Sequence, residues 1–76
     1  MATLEIYGSA HCPYTKEMRD WLEWLGHDVI EYDVERDRAA RERMRSISVG
    51  LHTVPVLVEE GKVVQVGWQG RGCTVE

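Results

Sequence analysis

Polar and apolar positions alternate in some segments of the chain and recur every three to four residues in others. Alternation and short apolar runs indicate strands, whereas the longer period indicates helices. On this basis four strands are predicted, at residues 3–7, 29–34, 55–58 and 63–66. Residues 59–62 join the last two strands as a hairpin, in which Gly61 can take the positive φ that a tight turn requires.

The first predicted helix covers residues 13–25, with Pro13 at its first position and Gly26 just after its end. Its apolar stripe consists of Met18, Trp21, Leu22 and Leu25. Residues at this spacing share one helix face, so we expect Trp21 to lie in the core. Trp24 falls off the centre of the stripe, and we expect it to be partly exposed.

The second predicted helix runs from residue 38 to about residue 47, with Asp37 as its N-cap. Its inward positions are Ala40, Met44 and Ile47. Arginines crowd this part of the chain: Arg36, Arg38, Arg41, Arg43 and Arg45. A solvated helix face is one interpretation, and a docking patch for an acidic partner is the other.

The element order is strand, helix, strand, helix and hairpin. A strand–helix–strand unit implies two parallel strands with a right-handed crossover, and the hairpin adds an antiparallel pair. The predicted fold is an α/β domain with a four-stranded mixed sheet and two helices. Three glycines between residues 67 and 72 argue against a further helix, and a chain of 76 residues predicts a single domain over residues 1–76.

Composition and charge narrow the function classes. The formal net charge is -4, which argues against nucleic acid as a partner, because phosphate binding needs a basic face. No apolar run approaches the ~20 residues of a membrane span. Residues 1–7 do not resemble a signal peptide, so we expect a cytoplasmic protein. We also expect it to be monomeric. In a reducing cytosol its two cysteines are expected to be reactive or free, and their spacing matches no metal motif, so no metal site is predicted.

Cys12 lies after the first predicted strand, at the N-cap of the first helix. Unpaired backbone N–H groups and the helix dipole at that end favour a thiolate, which is the attacking species in thiol–disulfide exchange. Pro13 stiffens the first turn, and the Thr15 hydroxyl could donate to the sulfur but cannot form a disulfide with it. The alternative is a small buried core cysteine without reactivity.

Pro55 opens the third predicted strand, where its missing N–H is tolerated. A cis Val54–Pro55 bond would turn the Val54 backbone outward, where it could pair with an extended thiol substrate. The sequence itself leaves both isomers open.

The segment Cys12-Pro13-Tyr14-Thr15, followed by Thr53-Val54-Pro55 and by Gly72-Cys73, resembles the glutaredoxins. The resemblance implies a minimal thioredoxin-like fold, here without the usual C-terminal helix, a cis proline, and Cys12 as the nucleophile. It also implies a glutathione groove along Tyr14, Val54 and the backbone of residues 72–74. In relatives, the residue at the position of His52 contacts a glutathione carboxylate.

Some positions depart from that pattern. Glutaredoxins often carry a lysine three residues before the active-site cysteine, and this chain has Ser9 there. They also carry two aspartates after Gly-Cys, and this chain has Thr74 and Val75 at those positions. A carboxylate partner for the glutathione amine is therefore missing. The tail after Val66 is similar to that of redoxins that serve ribonucleotide reductase and are often reduced by thioredoxin reductase. The overall pattern is most similar to the UXX-star family, in which selenocysteine often occupies the position of Cys12.

Two residues of the tail carry open alternatives. Cys73 could resolve a mixed disulfide on Cys12, provided that the two Cα atoms come within about 7 Å, or it could be a bystander thiol at a frayed terminus. Trp68 could form an apolar wall of the substrate groove, or it could pack as an ordinary core or hairpin residue.

The resulting hypothesis is a thiol–disulfide oxidoreductase with a single cysteine in its active-site motif. Its expected partners are glutathione or a protein disulfide, together with a thiol reductase. No permanently bound cofactor is expected, and glutathione would serve as cosubstrate. The alternatives are a glutathione-dependent iron–sulfur cluster carrier and a redox-silent adaptor that binds partners.

Overall fold

A computed structural model describes residues 3–48 and 52–74 of the chain. It has six strands and two helices in these ranges: β1 (Leu4–Gly8), α1 (Pro13–Trp24), β2 (Val29–Asp33), α2 (Arg38–Ser48), β3 (Thr53–Val54), β4 (Val56–Glu59), β5 (Lys62–Val66) and β6 (Cys73–Thr74). Neither helix is long and apolar enough to cross a membrane.

The main sheet has four strands in the order β2-β1-β4-β5. Strands β1 and β2 are parallel, whereas β4 is antiparallel to both β1 and β5. The predicted four-stranded mixed sheet is thereby confirmed. In the β4–β5 hairpin, Glu60 and Gly61 both take positive φ, at 52° and 77°, as a tight two-residue turn requires. The prediction for Gly61 is confirmed, and Glu60 shares its conformation.

The two faces of the sheet carry separate core clusters, and the buried helix residues Ala40 and Met44 of α2 belong to one, Met18 and Leu22 of α1 to the other. The α2-side cluster is formed by Tyr7, Cys12, Val34, Ala40, Met44, Val54, Val56 and Val58. The α1-side cluster is formed by Leu4, Ile6, Met18, Leu22 and Leu57. The side chains of β4 alternate between the two clusters, as they do in any strand. Because β4 is central in the sheet, all of residues 56–58 are buried.

Helix α2 begins as predicted. The Asp37 carboxylate accepts a hydrogen bond from the Ala40 backbone N–H at 3.0 Å, which satisfies a donor of the first turn. Ala40 and Met44 are buried, and Ile47 packs against the α2-side cluster. The three inward positions are therefore confirmed.

Helix α1 buries a narrower stripe than predicted. Met18 and Leu22 are buried, whereas Trp21 is 47% exposed and Leu25 is 46% exposed. The prediction of Trp21 as a core residue is wrong, because its side chain is half exposed and its ring packs against that of Trp68. Trp24 is 81% exposed, in line with its place off the stripe.

A second, two-stranded sheet pairs β3 with β6 and was not predicted. Each of these strands has two residues, which is too short for an alternating pattern to appear in the sequence. This small sheet brings the tail of the chain to the start of α1, where the candidate site lies.

Candidate active site

Cys12 is the N-cap residue of α1, with the extended backbone (φ -97°, ψ 115°) typical of that position. Its N–H donates to the Ser9 carbonyl at 3.0 Å, and its own carbonyl accepts from the Thr15 N–H at 3.2 Å. The first turn of α1 carries no acidic residue. The positive end of the helix dipole therefore acts on the Cys12 sulfur without an opposing carboxylate in that turn.

Cys12 and Cys73 form a disulfide, with their Cα atoms 5.9 Å apart. This separation lies within the range that unstrained backbones allow. Cys12 is only 3% exposed and belongs to the α2-side cluster, and Cys73 packs against the same cluster. The sequence suggested an accessible thiolate. In this structure the Cys12 sulfur is instead bonded to Cys73, and the residue is buried.

Strand β3 is the platform on which the tail lies. Thr53 pairs with Thr74 and Val54 pairs with Cys73, in antiparallel register. The Val54–Pro55 peptide bond is cis, as the resemblance implied. The Val54 carbonyl oxygen lies 4.0 Å from the Cys12 sulfur. Val54 therefore faces both cysteines of the disulfide.

Gly72 allows the tail to approach β3 closely. A Cβ atom at this position would lie 2.7 Å from the Val54 carbonyl oxygen and 2.7 Å from the Thr53 methyl carbon. Real Cβ atoms do not come this close, so any larger residue would push the two strands apart.

A tight turn directs the tail back to β3. The Gly67 N–H donates to the Pro55 carbonyl at 2.7 Å, and Trp68 and Arg71 exchange two backbone hydrogen bonds at 2.6 and 2.9 Å. Between them, Gln69 and Gly70 both take positive φ, at 53° and 77°. Sequence reasoning noted the glycines but missed this turn, because Gln is an uncommon residue in that conformation.

Ser9 organises the loop before Cys12. Its hydroxyl donates to the Glu35 carboxylate and accepts from the His11 N–H at 3.1 Å. Its backbone N–H donates to the Thr15 hydroxyl oxygen at 3.3 Å. Sequence reasoning registered Ser9 only as a replacement for lysine and missed Glu35, because nothing in the sequence links residues 26 positions apart.

A shallow surface pocket opens beside the disulfide. It is lined by Ser9, Ala10, Cys12, Thr15, Lys16, Arg19 and Glu31. The two cations on its rim are paired, since Lys16 contacts Asp20 at 2.6 Å and Arg19 contacts Glu31 at 3.0 Å. Thr15 and Cys12 both line this pocket, although each residue is buried. The role of the Thr15 hydroxyl as a donor to the sulfur stays a prediction.

The remaining predicted binding residues lie in different places. Tyr14 is half-buried and packs against the α2-side cluster that holds Cys12, whereas His52 is exposed. Trp68 packs against the α1-side cluster and against Trp21, with ring centroids 5.5 Å apart. Ordinary core packing accounts for these Trp68 contacts, and its role as a groove wall stays a prediction.

The sequence model of the glutaredoxin family matches residues 4–64 of this chain. The chain belongs to the glutaredoxin family. Its architecture and the position of Cys12 at the start of α1 agree with this assignment. The matched residues include Cys12 and the cis proline, and the tail with Cys73 lies beyond them. The narrower relationship to the UXX-star proteins stays a prediction.

Known proteins and structures similar to this chain agree. An uncharacterized glutaredoxin-like 8.6 kDa protein in the rubredoxin operon of Clostridium pasteurianum is 31% identical over 61 residues, which are 80% of each chain. The crystal structure of a thioredoxin-like protein superposes with a TM-score of 0.76 at 30% identity, covering 88% of this chain and 89% of the other. A buckwheat glutaredoxin in complex with glutathione superposes with a TM-score of 0.69 at 19% identity, covering 87% of this chain and 61% of the other. The family and the fold are those of thiol–disulfide oxidoreductases.

Proposed function

We propose that this member of the glutaredoxin family reduces disulfides with Cys12 as the nucleophile and Cys73 as the resolving thiol. The observation that carries the proposal is the Cys12–Cys73 disulfide at the N-terminus of α1. The active-site motif supplies one cysteine, and the tail supplies the second.

The first step depends on the thiolate of reduced Cys12. The N-terminus of α1 stabilises the anion, and such positions lower a cysteine pKa from about 8.5 to roughly 3.5–7.5. The thiolate attacks one sulfur of a substrate disulfide R–S–S–R′, forms Cys12–S–S–R and releases R′–S⁻. Thr15, which lines the same pocket and accepts from the Ser9 N–H, retains its hydroxyl proton to donate to the Cys12 thiolate.

The second step releases the rest of the substrate. The Cys73 thiolate attacks the Cys12 sulfur of the mixed disulfide, forms the Cys12–Cys73 disulfide and releases R–S⁻. Over both steps the substrate disulfide gains two electrons, and the two cysteines lose two electrons and two protons. The 5.9 Å separation of the Cα atoms in the Cys12–Cys73 disulfide supports this exchange, because it lies within the range that disulfides ordinarily span.

Glutathione is the proposed cosubstrate that returns the enzyme to its dithiol form, with a thiol reductase as the alternative reductant. Two glutathione thiols would restore the dithiol and leave as glutathione disulfide. The glutathione complex of the buckwheat glutaredoxin supports a similar use here. Pro13, Tyr14, Thr53 and Val54 belong to the proposed contact surface, with His52 and Thr74 at its exposed edge. Because Thr74 replaces an aspartate of the family pattern, we expect the amine of glutathione to be held weakly.

The test is a trapping experiment with two matched variants, Cys73→Ser and Cys12→Ser. Each reduced protein is mixed with glutathione disulfide, quenched with acid and weighed intact. We expect Cys73→Ser to accumulate a glutathione adduct on Cys12, because resolution is blocked. We expect Cys12→Ser to reduce no substrate at all.

The opposite pattern would contradict the proposal. Disulfide reduction retained in Cys12→Ser would remove Cys12 from its role as nucleophile. An unreacted Cys12 in the Cys73→Ser variant would favour a redox-silent adaptor.

A further inference from the structure

Strand β6 occupies the hydrogen-bonding edge of β3. The residues opposite each other are Val54 and Cys73, followed by Thr53 and Thr74. An exposed strand edge is a template for an extended peptide, which adds to it as a further strand. A substrate segment that presents its own cysteine to Cys12 needs this same edge, because Val54 lies against the Cys12 sulfur. The tail and such a segment therefore compete for one place.

The fit of the tail indicates which segments could replace it. Gly72 lies where a Cβ atom would approach the Val54 carbonyl oxygen and the Thr53 methyl carbon to 2.7 Å. A segment in the same register must carry glycine, or another unit without a Cβ atom at that place, just before its cysteine. Beyond the cysteine the restriction ends, since Thr74 is exposed.

The tail is attached to β3 by a short strand and can detach from it. Its strand has only two residues, and the preceding residues 69–72 are all exposed. Segments with few buried contacts and few ladder bonds open at low free energy. Once the Cys12–Cys73 bond is reduced, the short β3–β6 pairing and the packing of Cys73 against the α2-side cluster still hold the tail in place.

We propose that residues 72–74 occupy the place on β3 that the substrate's extended segment takes, so that resolution of the mixed disulfide is a strand exchange. The proposal rests on the proposed function and adds its substrate class, an extended segment with a glycine-like residue before the cysteine. When Cys73 attacks the Cys12 sulfur, β6 displaces the substrate from β3 as the substrate thiolate leaves. The oxidised protein is therefore closed to a second substrate until it is reduced.

The test uses the Cys73→Ser variant, whose tail is present but cannot form the disulfide. The substrate probe is the symmetrical disulfide of N-acetyl-Gly-Cys-Thr-amide, which copies the tail. The reference probe is 2-hydroxyethyl disulfide, which has no backbone to pair with β3. Second-order rate constants for Cys12 are measured with both, and their ratio isolates backbone pairing from the reactivity of the thiolate.

Gly72→Ala is then added to this variant, and Arg71→Lys serves as the matched control, because its exposed side chain keeps its charge. The alanine Cβ should expel the tail from β3. If the tail occupies the edge about nine-tenths of the time, the ratio of rate constants rises about tenfold in Gly72→Ala and stays unchanged in Arg71→Lys. An unchanged ratio in Gly72→Ala would overturn the strand exchange and leave the proposed function standing. Failure of Cys12 to react with either probe would overturn the proposed function itself.

A measurement on the wild-type protein covers the case in which Gly72→Ala fails to fold. Amide hydrogen exchange at residues 73 and 74 is compared in the oxidised and reduced protein. We expect reduction to accelerate exchange at these residues and to leave β1 and β4 protected. Equal protection in both redox states would contradict a tail that leaves its place.

Discussion

Val54 and Cys73 are direct antiparallel partners, and the Val54 carbonyl lies 4.0 Å from the sulfur of Cys12. Val54 thus lies against both cysteines of the site. The geometry links the active-site motif at the start of α1 to a tail that lies beyond the family match.

Reduction of the Cys12–Cys73 disulfide should destabilise the protein. The bond joins residues separated by 61 positions, and a loop of this size stabilises the folded state by roughly 2–4 kcal/mol. Urea unfolding of the wild-type protein, with and without dithiothreitol, measures the difference. The Cys73→Ser variant is the control, since its stability should not respond to the reductant. Equal unfolding midpoints for oxidised and reduced wild-type protein would contradict the prediction.

Gly8 should be required for the packing of Thr15 behind the Cys12 loop. A Cβ atom on Gly8 would lie 2.6 Å from the Thr15 hydroxyl oxygen. We expect Gly8→Ala to cost about 1–3 kcal/mol of unfolding free energy through overpacking. Adding Thr15→Ser removes the methyl group but keeps the hydroxyl, so the double variant should recover part of the loss. Strictly additive effects in chemical denaturation would show that the two residues do not touch.

The two exposed tryptophans of α1 should differ in their contribution to stability. Trp21 packs against Trp68 with ring centroids 5.5 Å apart, whereas Trp24 is 81% exposed. An aromatic pair of this kind contributes about 0.5–1.5 kcal/mol beyond its buried area. Trp21→Ala should therefore lower the thermal midpoint clearly, and Trp24→Ala should leave it nearly unchanged. A larger loss for Trp24→Ala would reverse this assignment.

Tyr7 should give the protein an alkaline limit of stability. Burial raises the pKa of its phenol above the ordinary value of 10.0, against the opposing hydrogen bond from Arg43. The unfolded chain therefore ionises at this residue before the folded protein does. Stability is unaffected below about pH 10 and falls as the pH rises through the folded pKa.

The comparison with Tyr7→Phe isolates this group from the other tyrosines and from the lysines. Denaturation of both proteins across the alkaline range should show a steeper loss of stability in the wild type. Parallel curves for the two proteins would mean that the pKa of Tyr7 is the same in the folded and unfolded chains.

The sequence predicted those parts of the fold in which a hydrophobic pattern extends over several consecutive residues. The four main strands and both helices follow from it, and so does the placement of Cys12 at a helix start. The prediction failed for Trp21, because in the described part of the chain α1 is the only helix that contributes to its face of the sheet. With no second helix beside it on that face, α1 buries only the middle of its apolar stripe, here Met18 and Leu22.

The features that complete the site have no such signal. The β3–β6 pairing consists of two residues in each strand, and its partners are far apart in the chain. The contact between Ser9 and Glu35 joins two loops and depends on the folded sheet. Periodicity describes local structure, so it could not show that the tail turns back to Cys12. Cys73 became a candidate through the resemblance of Gly72-Cys73 to the glutaredoxins.

The most direct test of the account is the fate of the two cysteines during one turnover of the reduced wild-type protein. The protein is mixed with glutathione disulfide, quenched with acid and weighed intact, and the oxidised product is digested without reduction. We predict a loss of two hydrogen atoms from the mass and one cross-linked peptide pair that contains Cys12 and Cys73. A lasting glutathione adduct on Cys12, with Cys73 still free, would contradict the account.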